Sequence, residues 1–161
     1  MKKTILVGFY SYFKWSLFYI FKIKLNYPLG NLNEGVYLKI LYKDKRVKEI
    51  CEDVKKATKY FGGNKTMAIS LLARINAINQ AEDIRDIIVQ KQMRFHKLLN
   101  RGKGKNYDGY FAIDVRTSRD QWRIIIEPLN EEKKPFVPCN IDEIAKYVRI
   151  VEIKEVSAHY E

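Results

Sequence analysis

Between Phe95 and Pro128 the chain reads FHKLLNRGKGKNYDGYFAIDVRTSRDQWRIIIEP, and this stretch decides the fold. After Lys97 the hydrophobic period changes from helical to alternating. Residues 109–115 place Phe111, Ile113 and Val115 on one face of a strand, and residues 121–127 form a second strand rich in Trp and Ile. Before the first of them lies a basic loop with Gly102 and Gly104. Arg101, Lys103, Lys105, Arg116, Arg119 and Arg123 gather here with no compensating acidic run. Such a cluster repels itself, so it calls for a polyanion as partner.

Reading outward, residues 147–156 are a long β-branched run and predict a further strand. The loop before it holds Pro135 and Pro138, and Asn140 is placed to cap a short turn through Ile144. On the N-terminal side, residues 36–41 alternate as a short strand. Val47, Ile50, Cys51, Val54, Thr58 and Phe61 then recur at helical spacing, predicting one helix of about four turns. Gly62 and Gly63 end it, and Asn64 caps a second helix whose stripe runs through Met67, Ala68, Leu71, Leu72, Ile75 and Ile78. Residues 83–89 carry Ile84, Ile87 and Ile88 toward the same core. The order predicts an α+β fold, a helical hairpin packed on one face of a small, curved, mainly antiparallel sheet.

Composition bounds the partners. The 161 residues contain 30 Lys plus Arg against 19 Asp plus Glu, a net charge of +11, and 47% are apolar. One domain with a real core fits that length, and the basic excess favours nucleic acid, the ribosome or an acidic protein. Cys51 and Cys139 lie far apart without metal-ligand spacing and read as two reduced thiols of a cytoplasmic protein. Residues 1–35 differ from the rest: 4–21 are almost continuously apolar, followed by a linker with Pro28, Gly30 and Gly35. A membrane span needs about 20 apolar residues, but Lys14 sits near the middle and Tyr and Trp are scattered along the run. The favoured reading is an over-extended gene start, with the domain covering 36–161; a membrane-associated segment and an extra helix are the alternatives.

The strand leading to a charged helix, the Gly62-Gly63 turn, the Leu71-Leu72-Ala73-Arg74-Ile75 helix, His96 followed by Leu98-Leu99, the basic loop, Phe111-Ala112-Ile113-Asp114-Val115, and Arg123 before three isoleucines and Glu127-Pro128 together resemble the RelE/HigB superfamily. Its members are toxins of bacterial type II toxin-antitoxin pairs. The resemblance runs from Val36 to the C-terminus and is nearer the HigB branch. It implies an RNA-binding concavity on the sheet face opposite the helices, and a metal-independent endoribonuclease that cleaves messenger RNA on the ribosome. The implied partners are that RNA, the ribosome and a cognate antitoxin; no cofactor is called for.

Metal-free RNA cleavage needs a base for a ribose 2′-hydroxyl, charge stabilisation at the attacked phosphate and a proton for the departing 5′ oxygen. Arginine suits the second task through its planar fork. Arg123 and Arg119 are the expected phosphate-stabilising residues, with Lys103 beside them as a catalytic cation. His159 is the expected proton carrier, because the family ends its last strand with a functional histidine or tyrosine. HigB-like members often finish Asp-Tyr-His, whereas this chain has Ser157-Ala158-His159. Arg101, Lys105, Tyr107, Arg116 and Tyr160 are the expected RNA-binding residues, Tyr107 by stacking on an unpaired base. Other readings compete: Trp122 as core filler, His96 as a structural hydrogen-bonding group, and Arg116 and Arg119 as partners of Glu127 or Asp114. A gyrase-inhibiting ParE-like relative, or a catalytically inactive RNA- or protein-binding one, is the alternative function.

Overall fold

Five strands form one sheet in the order β1-β5-β4-β3-β2. The structure, a computed structural model, describes residues 37–99 and 106–158. The expected leader over 1–35 and the site residues Arg101, Lys103, Lys105, His159 and Tyr160 lie outside the described residues. β1 (Lys39–Tyr42) runs parallel to β5 (Ile150–Ser157), with Lys39 opposite Ile150. β4 (Arg123–Leu129) lies antiparallel between β5 and β3 (Phe111–Asp114), and the two-residue β2 (His96–Lys97) closes the far edge. Parallel neighbours cannot be joined by a tight turn. Here the helices and β2 to β4 all lie between them in the chain, and the molecule is α+β with a mainly antiparallel sheet.

The expected single first helix is two: α1 (Lys45–Glu52) and α2 (Val54–Tyr60), broken at Asp53. Asp53 is extended, and its carboxylate accepts from the backbone of Lys55 at 2.7 Å and Lys56 at 3.1 Å. An aspartate that can cap offers the backbone an alternative to continuing the helix. The break rotates the stripe. Val54, expected inside, is exposed, and Ala57 is fully buried in its stead. The turn itself matches the reading. Gly62 and Gly63 take φ +62° and +92°, a region open to glycine, and the N–H of Gly63 donates to the carbonyl of Thr58 at 2.8 Å. Asn64 Oδ1 then accepts from Met67 N at 3.0 Å to start α3 (Lys65–Gln80).

One core joins the helices to one face of the sheet. Leu71, Ile75 and Ile78 of α3, with Ile84 and Ile87 of α4 (Ile84–Ile88), pack with Phe111 and Ile113 of β3, Ile124 and Ile126 of β4 and Val151, Ile153 and Val156 of β5. Strand side chains alternate between faces, so Arg123, Ile125 and Glu127 turn to the opposite side. Trp122 anchors the helical hairpin: its ring meets Tyr60 and Phe61 edge-on at 5.5 and 4.8 Å, while Tyr60 donates its hydroxyl to the carbonyl of Val156. Trp122 therefore packs against the core. Before α5 (Ile141–Ile144), the Asn140 side chain, expected to cap the helix, instead bonds the Glu143 carboxylate at 2.6 Å and caps no backbone N–H. No helix among the described residues is long and apolar enough to cross a membrane.

Asp83 fixes the start of α4. It accepts from Arg85 N at 2.8 Å and pairs with the guanidinium groups of Arg85 at 2.6 Å and Arg149 at 3.1 Å. The hydrogen bond from Arg85 outweighs burial and holds its carboxyl below the usual aspartate value. A carboxyl lowered in the folded state stabilises fully above its unfolded pKa of about 3.9 and loses that contribution as pH falls through the folded value. The unfolding free energy of Asp83→Asn, read by urea titration, should therefore approach that of the wild type as pH is lowered from 6 to 3.

Candidate nucleic-acid interface

The register of β3 on β4 sets Asp114 directly opposite Arg123, and the carboxylate is completely buried. A buried carboxylate needs cationic or hydrogen-bonding partners. Arg123 Nε lies 2.9 Å from Asp114 Oδ1, and Arg94 reaches Oδ2 at 3.2 Å. The rest of the Arg123 guanidinium is turned back onto its own hairpin, donating to the carbonyls of Asp120 and Trp122. From α3, Arg74 donates to the carbonyls of Asp114 at 3.2 Å, Gln92 at 2.8 Å and Arg116 at 3.1 Å. It thereby ties the helix layer to both segments that flank the carboxylate.

Arg116 and Arg119 stand on the β3–β4 hairpin. Val115 N donates to the carbonyl of Trp122 at 3.2 Å, and the Thr117 hydroxyl donates to Asp120 Oδ2 at 2.7 Å, which fixes the loop between them. Both arginines are exposed, and neither makes an ion pair among the described residues. Among the described residues, five arginines and two carboxylates, Asp114 and Asp120, belong to this end of the sheet and the segments tied to it. Net positive charge is left over there, facing solvent through Arg94, Arg116 and Arg119.

The expected site residues divide on this map. Arg119 and Arg116 are exposed at the arginine-rich end. Arg123, expected to touch phosphate, is 7% exposed and ion-paired with Asp114. Its position opposite an acid on a buried strand is the physical reason. Tyr107 is half-buried against Leu98, Ala112 and Ile125, its ring edge-on to Tyr110 at 6.4 Å. His96 Nδ1 lies 2.6 Å from the carbonyl of Arg94, a structural hydrogen bond. Glu127 does not pair with Arg116 or Arg119, because Lys154 reaches it at 3.0 Å and Glu152 at 2.5 Å.

Sequence reading passed over Arg74, Arg94 and Asp114 as site residues. Asp114 carried a signal, a lone acid inside the apolar alternation Phe111-Ala112-Ile113-Asp114-Val115. Arg94 carried none, since its placement depends on a left-handed backbone (φ 46°, ψ 48°) after a short 3-10 turn (Lys91–Met93).

Burial, then the charge of Glu127, pushes the Tyr110 phenol up, and burial pushes the Cys51 thiol up to about 12 and raises that of Cys139. A cleft of about 800 Å³ beside β4 is lined by Lys97, Asp108, Glu127 and Asp142 with apolar walls from Phe111 and Phe136. Its carboxylates repel phosphate, so the cationic surface and this cleft are separate features. No family model, curated protein or solved structure matches the chain.

The Asp114–Arg123 pair has a measurable signature. Asp114→Leu or Arg123→Met alone should each cost about 3–5 kcal/mol by stranding a buried charge, whereas the two combined should cost clearly less than the two single losses together. Urea denaturation of the four proteins reads this directly.

Proposed function

We propose that this chain is the toxin of a type II toxin-antitoxin pair, a metal-independent endoribonuclease of the RelE/HigB kind that cleaves messenger RNA on the ribosome in the cytoplasm. The observation that carries the reading is the arginine-rich end of the sheet, where Arg116 and Arg119 face solvent beside a carboxylate already matched by two guanidinium groups. An RNA backbone supplies the negative charge this end lacks. The net charge of +11 and the α+β order of elements support the same reading. In it, Arg119 and Arg116 bind phosphates and Tyr107 stacks on a base. His159 moves protons, Lys103 adds charge at the attacked phosphate, and Arg101, Lys105 and Tyr160 extend the RNA contact. The 2′-oxygen attacks the adjacent phosphorus as its proton passes to the base. The 5′ oxygen leaves with a proton, giving a 2′,3′-cyclic phosphate and a 5′-hydroxyl. A cognate antitoxin would neutralise the protein by laying an acidic or amphipathic segment over this surface.

A second reading keeps the fold and drops the catalysis, as in a gyrase-inhibiting relative or a domain that only binds RNA or protein. The burial of Arg123 favours it, together with Ser157, opposite Arg123 in the sheet, where HigB-like chains often have an acid. Mapping messenger RNA 5′ ends after induction separates the two. Discrete cuts inside translated codons are expected, and Arg119→Ala and His159→Ala should each lower them by about a hundredfold. Intact transcripts accompanied by DNA damage would instead establish the gyrase reading.

A further inference from the structure

Arg94 differs from every other arginine around Asp114. Arg123 is buried, ion-paired with Asp114 and bonded through Nη1 to two backbone carbonyls, and Arg74 spends its donors on three backbone carbonyls. Among the described residues Arg94 has one ion pair, 3.2 Å to Asp114 Oδ2, and its side chain is half exposed. The carboxylate it touches is already matched by Arg123 at 2.9 Å. One negative charge therefore faces two positive ones, and the outer cation is the one in surplus.

Its backbone is also unusual. φ 46° and ψ 48° are uncommon for a residue with a side chain, and such conformations persist only where surroundings hold them. Here the carbonyl of Arg94 is contacted by His96 Nδ1 at 2.6 Å, and its N–H donates to the carbonyl of Lys91 at 3.3 Å. The neighbouring Met93 is completely buried, and Phe95 stacks on Phe111 at 4.9 Å. Both flanks are pinned, so the guanidinium is presented from a fixed point at the solvent edge of the arginine cluster. A pre-positioned fork loses little freedom when it binds an anion.

We infer that Arg94 is the residue that grips a phosphate of single-stranded RNA, its guanidinium sharing itself between Asp114 and a phosphate oxygen, with Asp114 and Arg123 as positioning residues. This rests on the RNA reading above and adds a residue to it. Exposed Arg116 and Arg119 then guide the strand toward Arg94.

The test is fluorescence anisotropy with a labelled twelve-nucleotide RNA, measured from 50 to 200 mM salt on wild type, Arg94→Ala, Arg94→Gly and Lys48→Ala. Glycine accommodates the left-handed backbone, so Arg94→Gly keeps the test valid should Arg94→Ala fold poorly. Both Arg94 variants should bind about tenfold more weakly and show a logarithmic salt slope shallower by about 0.7, the loss of one phosphate contact to a single strand. Lys48→Ala, on the far helix α1, should match the wild type. Wild-type slope and affinity in both Arg94 variants would overturn the inference and leave the RNA reading standing. Failure of the wild type to bind RNA at 50 mM salt would overturn both. Loss of poly-glutamate binding with unchanged RNA binding would reassign Arg94 to an acidic protein partner.

Discussion

A single buried carboxylate organises this molecule. Asp114 lies at the end of β3 with no access to water, where an uncompensated charge would cost several kcal/mol. The carboxylate is paired by Arg123 across the strand pair and by Arg94 from the turn before β2, and Arg74 of α3 donates to the backbone carbonyl of the same residue. Satisfying that one group fixes the register of β3 on β4, the path into β2 and the seating of the helix layer. It also gathers arginines at one end of the sheet, and the charge they leave unmatched makes that end attractive to a polyanion.

The lysines are distributed differently. On α1 and α2, Lys45 and Lys48 sit four residues before Glu49 and Glu52, at 3.9 Å, and Lys56 reaches Glu49 at 3.4 Å. Opposite charges at that spacing offset each other along an exposed helix face. That surface is basic in composition yet partly balanced, whereas the arginine end has its carboxylates buried or bonded within the hairpin. The proposed reading takes the arginine end of the sheet, and not the helices, as the surface that meets a polyanion.

How far the sequence could be read depended on how local each feature is. Gly62, Gly63 and Asn64 announced a turn because their conformational preferences act within a few residues, and the alternation of Phe111, Ile113 and Val115 announced a buried strand face. The break at Asp53 was hidden because the apolar spacing runs through it, while capping by one carboxylate decides the backbone. Arg123 shows the limit most clearly. Its type and neighbours suggested phosphate contact, but whether an arginine on a strand faces a ligand or an acid depends on what lies opposite, and pairing is a long-range property. Arg94 was illegible for the same reason: nothing in Gln92-Met93-Arg94-Phe95 marks a left-handed backbone aimed at a carboxylate twenty residues away.

If a polyanion binds the arginine end of the sheet organised by Asp114, the residues there must respond to one in solution. Titrating isotope-labelled protein with a short single-stranded RNA, and following backbone amide and arginine side-chain NMR signals, tests it most directly. The largest shifts should fall on Arg94, on the hairpin from Arg116 to Arg119 and on Tyr107, with the helices α1 and α2 nearly silent. Shifts concentrated on the lysines of α1 and α2, with Arg94 and the hairpin unmoved, would contradict it.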